Sequence, residues 1–360
     1  MVIDLEAFNN ISVNDVEVAQ VGGGVRLGYS SRGWGLTLDT IVGLDVVLAN
    51  GSFVHANSIA YPDVFWALRG AAESIGIVTT FYFQTQPAPS SIINWAYNIP
   101  ITSSDAAAST FSHIQNFALN ASVIDGLTGF GVSPTASSFS ISGTYRGDQA
   151  TFTNEIAPEL LRGLPTPSSQ SVQSLNWISS LTNLWGGPLA QPLTGYNAHD
   201  DFYAKSVLVP EASPLTMPAL SSYFNYIATN GTQHPALWFS ELNLIGGPGS
   251  MVNSPPAAAA DAAYSERGAL WIVQHYSEIP SASSGGANRA IAFVDGLNSA
   301  LENPMPSTAF GGYLNYVDPE LSAAQAHALY YSSAVYDRLS GIKKVVDPGN
   351  VFSNPQSVGM

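Results

Sequence analysis

Between Thr40 and Ala56 the chain has little conformational freedom. Thr40–Leu48 is a run rich in Val, Ile and Leu that favours an extended strand. It ends at Asn50-Gly51, a dipeptide suited to the left-handed backbone of a tight hairpin turn. Ser52–Ala56 then reads as the return strand. Gly76–Gln84 alternates β-branched and aromatic residues and predicts another strand. Val18–Val21 is a further short apolar strand, broken by Gly22-Gly23-Gly24, and Tyr61–Leu68 has room for one or two helical turns. Pro87 and Pro89 mark a boundary.

Beyond that boundary, strands and helices intermix. Ser104–Leu119 reads as a helix with Ser103, Ser104 or Asp105 at its cap. Gly129–Tyr145 alternates as two strands, Pro158–Gly163 is a short helix and Ser213–Ile227 a longer one. Leu237–Leu244 and Ala269–Tyr276 are strands, with an Ala-rich stretch over Ala257–Glu266 between them, and Ala287–Leu301 is a helix. Ser322–Leu339 reads as one more helix, and Asp347-Pro348-Gly349-Asn350 as a turn. Strands in meander order with helices interspersed predict an α+β architecture, an antiparallel sheet covered by helices.

Composition narrows the function. In 360 residues only 10% are charged against 46% hydrophobic, so neutral polar side chains supply much of the surface. The net charge is −15, and a chain so acidic has no basic tract for a nucleic-acid backbone and no pull toward an anionic membrane. No apolar run is long enough to span a bilayer. The count of cysteines is 0, which removes disulfides, zinc thiolates and thiol nucleophiles. His55, His113, His199, His234, His275 and His327 have no metal-ligand spacing to one another, so no metal site is expected. Sequons at Asn10, Asn50, Asn120 and Asn230, together with the low charge, fit a secreted glycoprotein.

Two groups of motifs carry a family likeness. The first runs Gly28-Tyr29-Ser30-Ser31-Arg32, Gly35-Leu36-Thr37-Leu38-Asp39, Val46-Val47-Leu48-Ala49-Asn50-Gly51, Pro62-Asp63-Val64-Phe65-Trp66-Ala67-Leu68-Arg69-Gly70 and Gly76-Ile77-Val78-Thr79. The second is Tyr313-Leu314-Asn315-Tyr316-Val317-Asp318-Pro319, then Tyr330-Tyr331, Ile342-Lys343, Asp347-Pro348-Gly349-Asn350-Val351-Phe352 and Pro355-Gln356-Ser357. In this order they resemble the berberine-bridge and oligosaccharide-oxidase branch of the vanillyl-alcohol oxidase, or PCMH-type FAD-binding, superfamily.

The resemblance implies a two-domain flavoprotein. Residues 1–90 and 313–360 build the FAD-binding domain, and 91–312 form the substrate-binding domain. Glycines let a backbone approach a pyrophosphate, and their N–H groups can face the anion. The cofactor-binding set implied is Gly28, Tyr29, Ser30, Ser31, Asp39, Gly76, Ile77 and Val78, with Asn315 and Tyr316 at the flavin ring. Asp63 and Arg69 are read as structural, through helix capping and an ion pair. Tyr313 is the implied general base, with Tyr316 as fallback, and Asn315 shares its face if the segment is extended.

A tyrosine base needs neighbours that help it give up its proton. The family's sugar oxidases use a Gln-x-Asp pair for this, whereas the matching strand here offers Glu241 and Asn243. Glu241 also counts as a substrate contact, as does Gln274 on the next strand. Lys205, in Asp201-Phe202-Tyr203-Ala204-Lys205-Ser206, is read as structural.

The family's histidine-bearing and cysteine-bearing flavin loops find no match, so the chain reads as shortened at its N-terminus and deleted internally near Leu27–Gly28. FAD, if bound, is then expected to be non-covalent. The implied reaction oxidises an alcohol, such as a sugar's anomeric hydroxyl, with dioxygen as the final acceptor. Two alternatives stay open: a flavin oxidase of secondary metabolism, and a flavin-free protein that at most binds a ligand.

Overall fold

The computed structural model describes residues 11–13, 18–21, 28–189, 200–256, 261–279 and 285–359. Met1–Glu6, Gly22–Gly24, His199 and the start of the Ala257–Glu266 stretch lie outside the described residues.

Twelve described strands form two antiparallel sheets. The first contains β1 (Ile11–Val13), β2 (Val18–Val21), β3 (Ile41–Val47), β4 (Phe53–Ala56) and β5 (Ile77–Gln84), in the order β1-β2-β5-β3-β4. The β3–β4 hairpin turns at Gly51, whose φ of 81° explains the need for glycine. The predicted short helix after β4 is longer than the sequence suggested. It runs Pro62–Ile75, with non-helical backbone at Arg69–Ala71. Gly70 sits at that break because a Cβ there lies 1.9 Å from the Ala263 carbonyl oxygen. The core under this sheet joins Leu44, Val46, Phe65 and Ile75 to Ala326, Leu339 and Val358, so segments before and after the second sheet complete it together.

The second sheet contains β6 (Ile92–Pro100), β7 (Thr128–Pro134), β8 (Ser138–Tyr145), β9 (Ser169–Leu175), β10 (Phe202–Pro210), β11 (Trp238–Leu244) and β12 (Ala269–Glu278). Their order is β10-β12-β11-β7-β8-β6-β9, so β10 and β9 are the edges. One face packs against helices Ser104–Ala118, Met217–Tyr226 and Gly286–Glu302 through Phe111, Phe130, Phe224, Trp271 and Leu297. Ser103 caps the first of these helices by accepting from Ala106 N–H.

Strand alternation leaves the other face to Asn94, Ser142, Gly131, Glu241, Asn243, Gln274 and Ser206. The helix Trp177–Trp185 covers one end of this face, where the Ser180 hydroxyl donates to Asn94 (2.6 Å).

The helix predicted over Ser322–Leu339 is two helices, Ala323–Tyr330 and Ser333–Val346. Ser332 breaks the run by accepting from Val335 N–H as the cap of the second helix.

Candidate functional site

β11 and β12 pair so that Glu241 lies directly opposite Gln274, and on β12's other side Gln274 faces Ser206. The three form one row across β11, β12 and β10, on the face opposite the three long helices. One rung away, Phe202, Tyr276 and Phe239 stack into a ladder. Their ring centroids are 5.1 and 4.8 Å apart, at 26° and 10°. Phe202 and Phe239 are exposed. Asn243 shares the face of Glu241. Gly131 lies opposite it on β7, where a Cβ would stand 2.4 Å from the Asn243 side-chain oxygen.

Tyr313 stands at the Ser206 end of the row, its N–H donating to Ser206 Oγ (2.8 Å). Residues 313–316 are not extended, as an alternating segment requires. They form a turn, with Tyr316 N–H donating to the Tyr313 carbonyl (2.8 Å). The turn still unites the two residues expected to act together, because Asn315 Nδ2 donates to the Tyr313 hydroxyl (2.8 Å). Tyr316 sets its ring edge-on to Tyr313 at 5.0 Å. Behind Tyr313 lies Tyr264. Burial, with the nearby Tyr313 and Glu266 adding, raises its phenol well above the ordinary value.

The Gly28–Arg32 turn packs onto the same face from above. Gly129 makes this possible, since a Cβ there falls 1.9 Å from the Tyr29 carbonyl oxygen. The Tyr29 hydroxyl reaches Ser142 Oγ (3.2 Å). Burial, and then the Glu241 charge, hold its phenol above the ordinary value despite that bond. Arg32 is fully buried and donates to the carbonyls of Gly246 (2.8 Å), Asp125 (2.7 Å), Pro248 (2.7 Å) and Thr128. Burial depresses its basicity to about 10, which leaves it a cation at neutral pH. Gly28 and Ser30 border a shallow cleft of about 320 Å3 with Trp34, Thr37, Gln84, Gln86 and Trp177.

Other expected cofactor contacts also have places in the fold. The Asp39 carboxylate pairs with Arg267 (2.5 and 2.8 Å) and accepts from Leu36 N–H (2.8 Å), so it ties two segments of chain together. Ser31 is buried and donates to the Gly28 carbonyl (2.7 Å). Gly76 is a packing glycine, since a Cβ there meets Val46 at 2.8 Å. Ile77 and Val78 pair with Val47 and Val46 on β3, while β2 reaches only as far as Phe81 along the other edge of β5. Asp63 does not cap its helix, whose N-cap position is Tyr61; it pairs with Arg338 (3.1 Å), while Arg69 stacks on Phe65 (4.2 Å) and donates to the Asp261 carbonyl.

The sequence reading missed Ser206, the Phe202–Tyr276–Phe239 ladder and Tyr264. Two-residue spacing from Glu241 to Phe239 and from Gln274 to Tyr276 was the available signal. Among the described residues no group of three or more His, Asp or Glu side chains is placed to hold a metal ion, and no helix is long and apolar enough to cross a membrane.

A polar face with a phenol–amide turn at one end is a site that can hold a hydroxylated ligand beside a group able to take a proton. The berberine and berberine-like family profile matches residues 312–359. The FAD-linked oxidoreductase sorD of Penicillium rubens is 31% identical over 353 residues, covering 94% of this chain and 68% of that protein. The xylooligosaccharide oxidase of Thermothelomyces thermophilus is 32% identical over 92% of this chain and 65% of its own length. Among solved structures, the xylooligosaccharide oxidase from Myceliophthora thermophila C1 in complex with xylobiose superposes with a TM-score of 0.88 at 27% identity. It covers 99% of this chain and 81% of that one. The chain therefore belongs to the berberine-bridge-like family of FAD-linked oxidoreductases, whose cofactor is FAD. It spans about two thirds, 65%, of the first curated relatives it matches.

Another structural relative, the Acremonium strictum glucooligosaccharide oxidase, carries a 6-S-cysteinyl, 8α-N1-histidyl FAD. This chain has 0 cysteines and cannot form the first of those bonds. The residues present do fit the ring end of a flavin. The Tyr313–Asn315 turn offers a phenol and an amide beside the Gln274–Glu241 row, whose amide and carboxylate add further donors and acceptors.

Proposed function

We propose that this chain forms the substrate-oxidising part of an FAD-dependent oxidase that acts on a hydroxyl of a small carbohydrate. The observation that carries the reading is the placement of the Tyr313–Asn315 turn at the end of the Ser206–Gln274–Glu241 row. The aromatic ladder beside the row supports a sugar, because exposed, parallel rings suit the apolar faces of pyranoses while amide and carboxylate groups suit their hydroxyls.

Tyr313 takes the proton of the reacting hydroxyl, and Asn315 steadies the phenolic oxygen by donating to it. Glu241 and Gln274, side by side, hold neighbouring hydroxyls and fix which carbon is presented. Tyr29, whose hydroxyl meets Ser142 Oγ, stays a phenol in the same corner, because burial and then the Glu241 charge oppose its ionisation. Tyr313, Asn315 and Tyr316 would hold the ring end of FAD without a cysteinyl bond. When bound, FAD supplies the hydride acceptor and passes the electrons to dioxygen, giving hydrogen peroxide.

The test is reconstitution of the purified protein with FAD, followed by peroxide release on xylobiose and on other neutral disaccharides. A yellow protein that releases peroxide is expected. A protein that stays colourless after FAD is added and removed by gel filtration rejects the reading.

A further inference from the structure

The segment bearing Tyr313 wraps around the free edge of the seven-stranded sheet. Gly311 exchanges two backbone hydrogen bonds with Leu208 on edge strand β10 (2.8 and 3.1 Å). Tyr313 N–H then anchors to Ser206, on the open face. After the turn the chain crosses the edge, and Asp318 arrives on the opposite, helix-covered face of the same strand. There its carboxylate accepts from the Tyr203 hydroxyl (2.7 Å) and pairs with the Lys205 ammonium (3.0 Å), which also bonds Asp295 (2.7 Å).

Close approach is built into this hook. A Cβ on Gly311 lands 2.5 Å from a Glu266 carboxylate oxygen, and one on Gly312 lands 2.8 Å from Leu329. Asp318 is 1% exposed, and its carbonyl accepts from Gln356 Nε2 (2.6 Å). Burial works against the Lys205 charge, but Asp295 and Asp318 outweigh it and hold the ammonium above its ordinary basicity. Burial, and then the bond to Asp318, raise the Tyr203 phenol, so it stays a donor. A buried ion pair adds little net stability over apolar side chains of similar shape, yet it fixes one geometry. Here that geometry is the exit of the turn that sets Tyr313 against Asn315.

We propose that Asp318, clamped by Lys205 and Tyr203, is the positioning residue that holds the Tyr313–Asn315 pair at the Ser206 end of the Gln274–Glu241 row. This rests on Tyr313 acting as the base.

Asp318→Asn keeps the side-chain shape and the Tyr203 bond while removing the ion pair. Tyr203→Phe keeps the ion pair and removes one bond. In the FAD-reconstituted full chain with xylobiose, Asp318→Asn is expected to lower kcat about tenfold, with KM within about twofold. Tyr203→Phe is expected to act in the same direction by less. Unchanged kcat in both variants, or a loss confined to melting temperature and FAD content, overturns the proposal. A second reading needs no turnover. In protein labelled with fluorotyrosine, the NMR line assigned to Tyr313 through Tyr313→Phe is expected to shift in Asp318→Asn. A line that stays in place rejects the positioning role whether or not xylobiose is oxidised. A line that shifts in a protein that releases no peroxide upholds the hook and removes the oxidase reading.

Discussion

Asn315 donates its side-chain N–H to the Tyr313 hydroxyl at 2.8 Å, two residues away and within one turn. The turn makes this bond local, so the pair is preformed. Tyr313→Phe is expected to cut peroxide formation by ~10²-fold or more, while FAD binding persists. Asn315→Ala is expected to cost less, about tenfold, because the phenol remains. Stopped-flow reduction of the bound flavin by xylobiose separates the two, and a Tyr313→Phe rate within threefold of wild type removes Tyr313 as the base.

Glu241 and Gln274 are cross-strand neighbours but chemically unlike. Gln274→Ala is expected to raise KM for a disaccharide by about tenfold with little change in kcat, the mark of a uniform binding contact. Glu241→Gln is expected to change the ranking among neutral disaccharides, because an amide keeps the size of the group but can donate. Steady-state peroxide assays on several sugars check both.

His275 lies directly behind this pair, fully buried, its Nδ1 bonded to Ser240 Oγ (2.9 Å). Burial depresses its basicity to about 3. The unfolded chain, with an ordinary imidazole near ~6.5, therefore binds more protons at intermediate pH. The stability His275 contributes is complete above about pH 6.5 and is lost progressively as pH falls toward about 3, at up to ~1.4 kcal/mol per unit. His275→Gln is expected to flatten that limb of the denaturation profile. A variant with the same acid slope as wild type removes His275 as its source.

Gly129→Ala is expected to destabilise by ~1–3 kcal/mol, since the added methyl collides with the Tyr29 backbone rather than with a side chain that can move. Gly341 is the control. It sits inside helix Ser333–Val346 with nothing within 4 Å of a built Cβ, so Gly341→Ala is expected to stabilise by ~0.5–1 kcal/mol. Urea denaturation of both variants reads the contrast.

Much of the fold was legible where one face of an element is wet. β11 and the Ser104–Ala118 helix announce themselves by alternation and by a serine cap. β6 was missed because it is buried along most of its length and shows little period, and β9 because the edge strand SQSVQSL reads as a polar loop. The Ser322–Leu339 region read as one helix because apolar spacing continues across a break set by a local serine cap. In the site, Tyr313 and Asn315 were legible from their motif, but the geometry that joins them was not. Ser206, Tyr276 and Phe239 come together through the registers of β10, β11 and β12, which no single stretch of sequence encodes.

Arg32 has a consequence for how the molecule is made. Its guanidinium donates to the Gly246 carbonyl across 214 residues of chain. At a ribosomal rate of ~5–20 residues per second, Arg32 emerges ~10–40 s before that acceptor exists. Through that interval Arg32 can reach the Asp125 and Thr128 carbonyls, but its acceptors at Gly246 and Pro248 are missing. The half-built chain passes through a stage in which the turn can meet β7 at Gly129 but is not yet locked by Gly246 and Pro248. A nascent-chain protease would find this turn accessible long after the hairpin at Gly51 has closed.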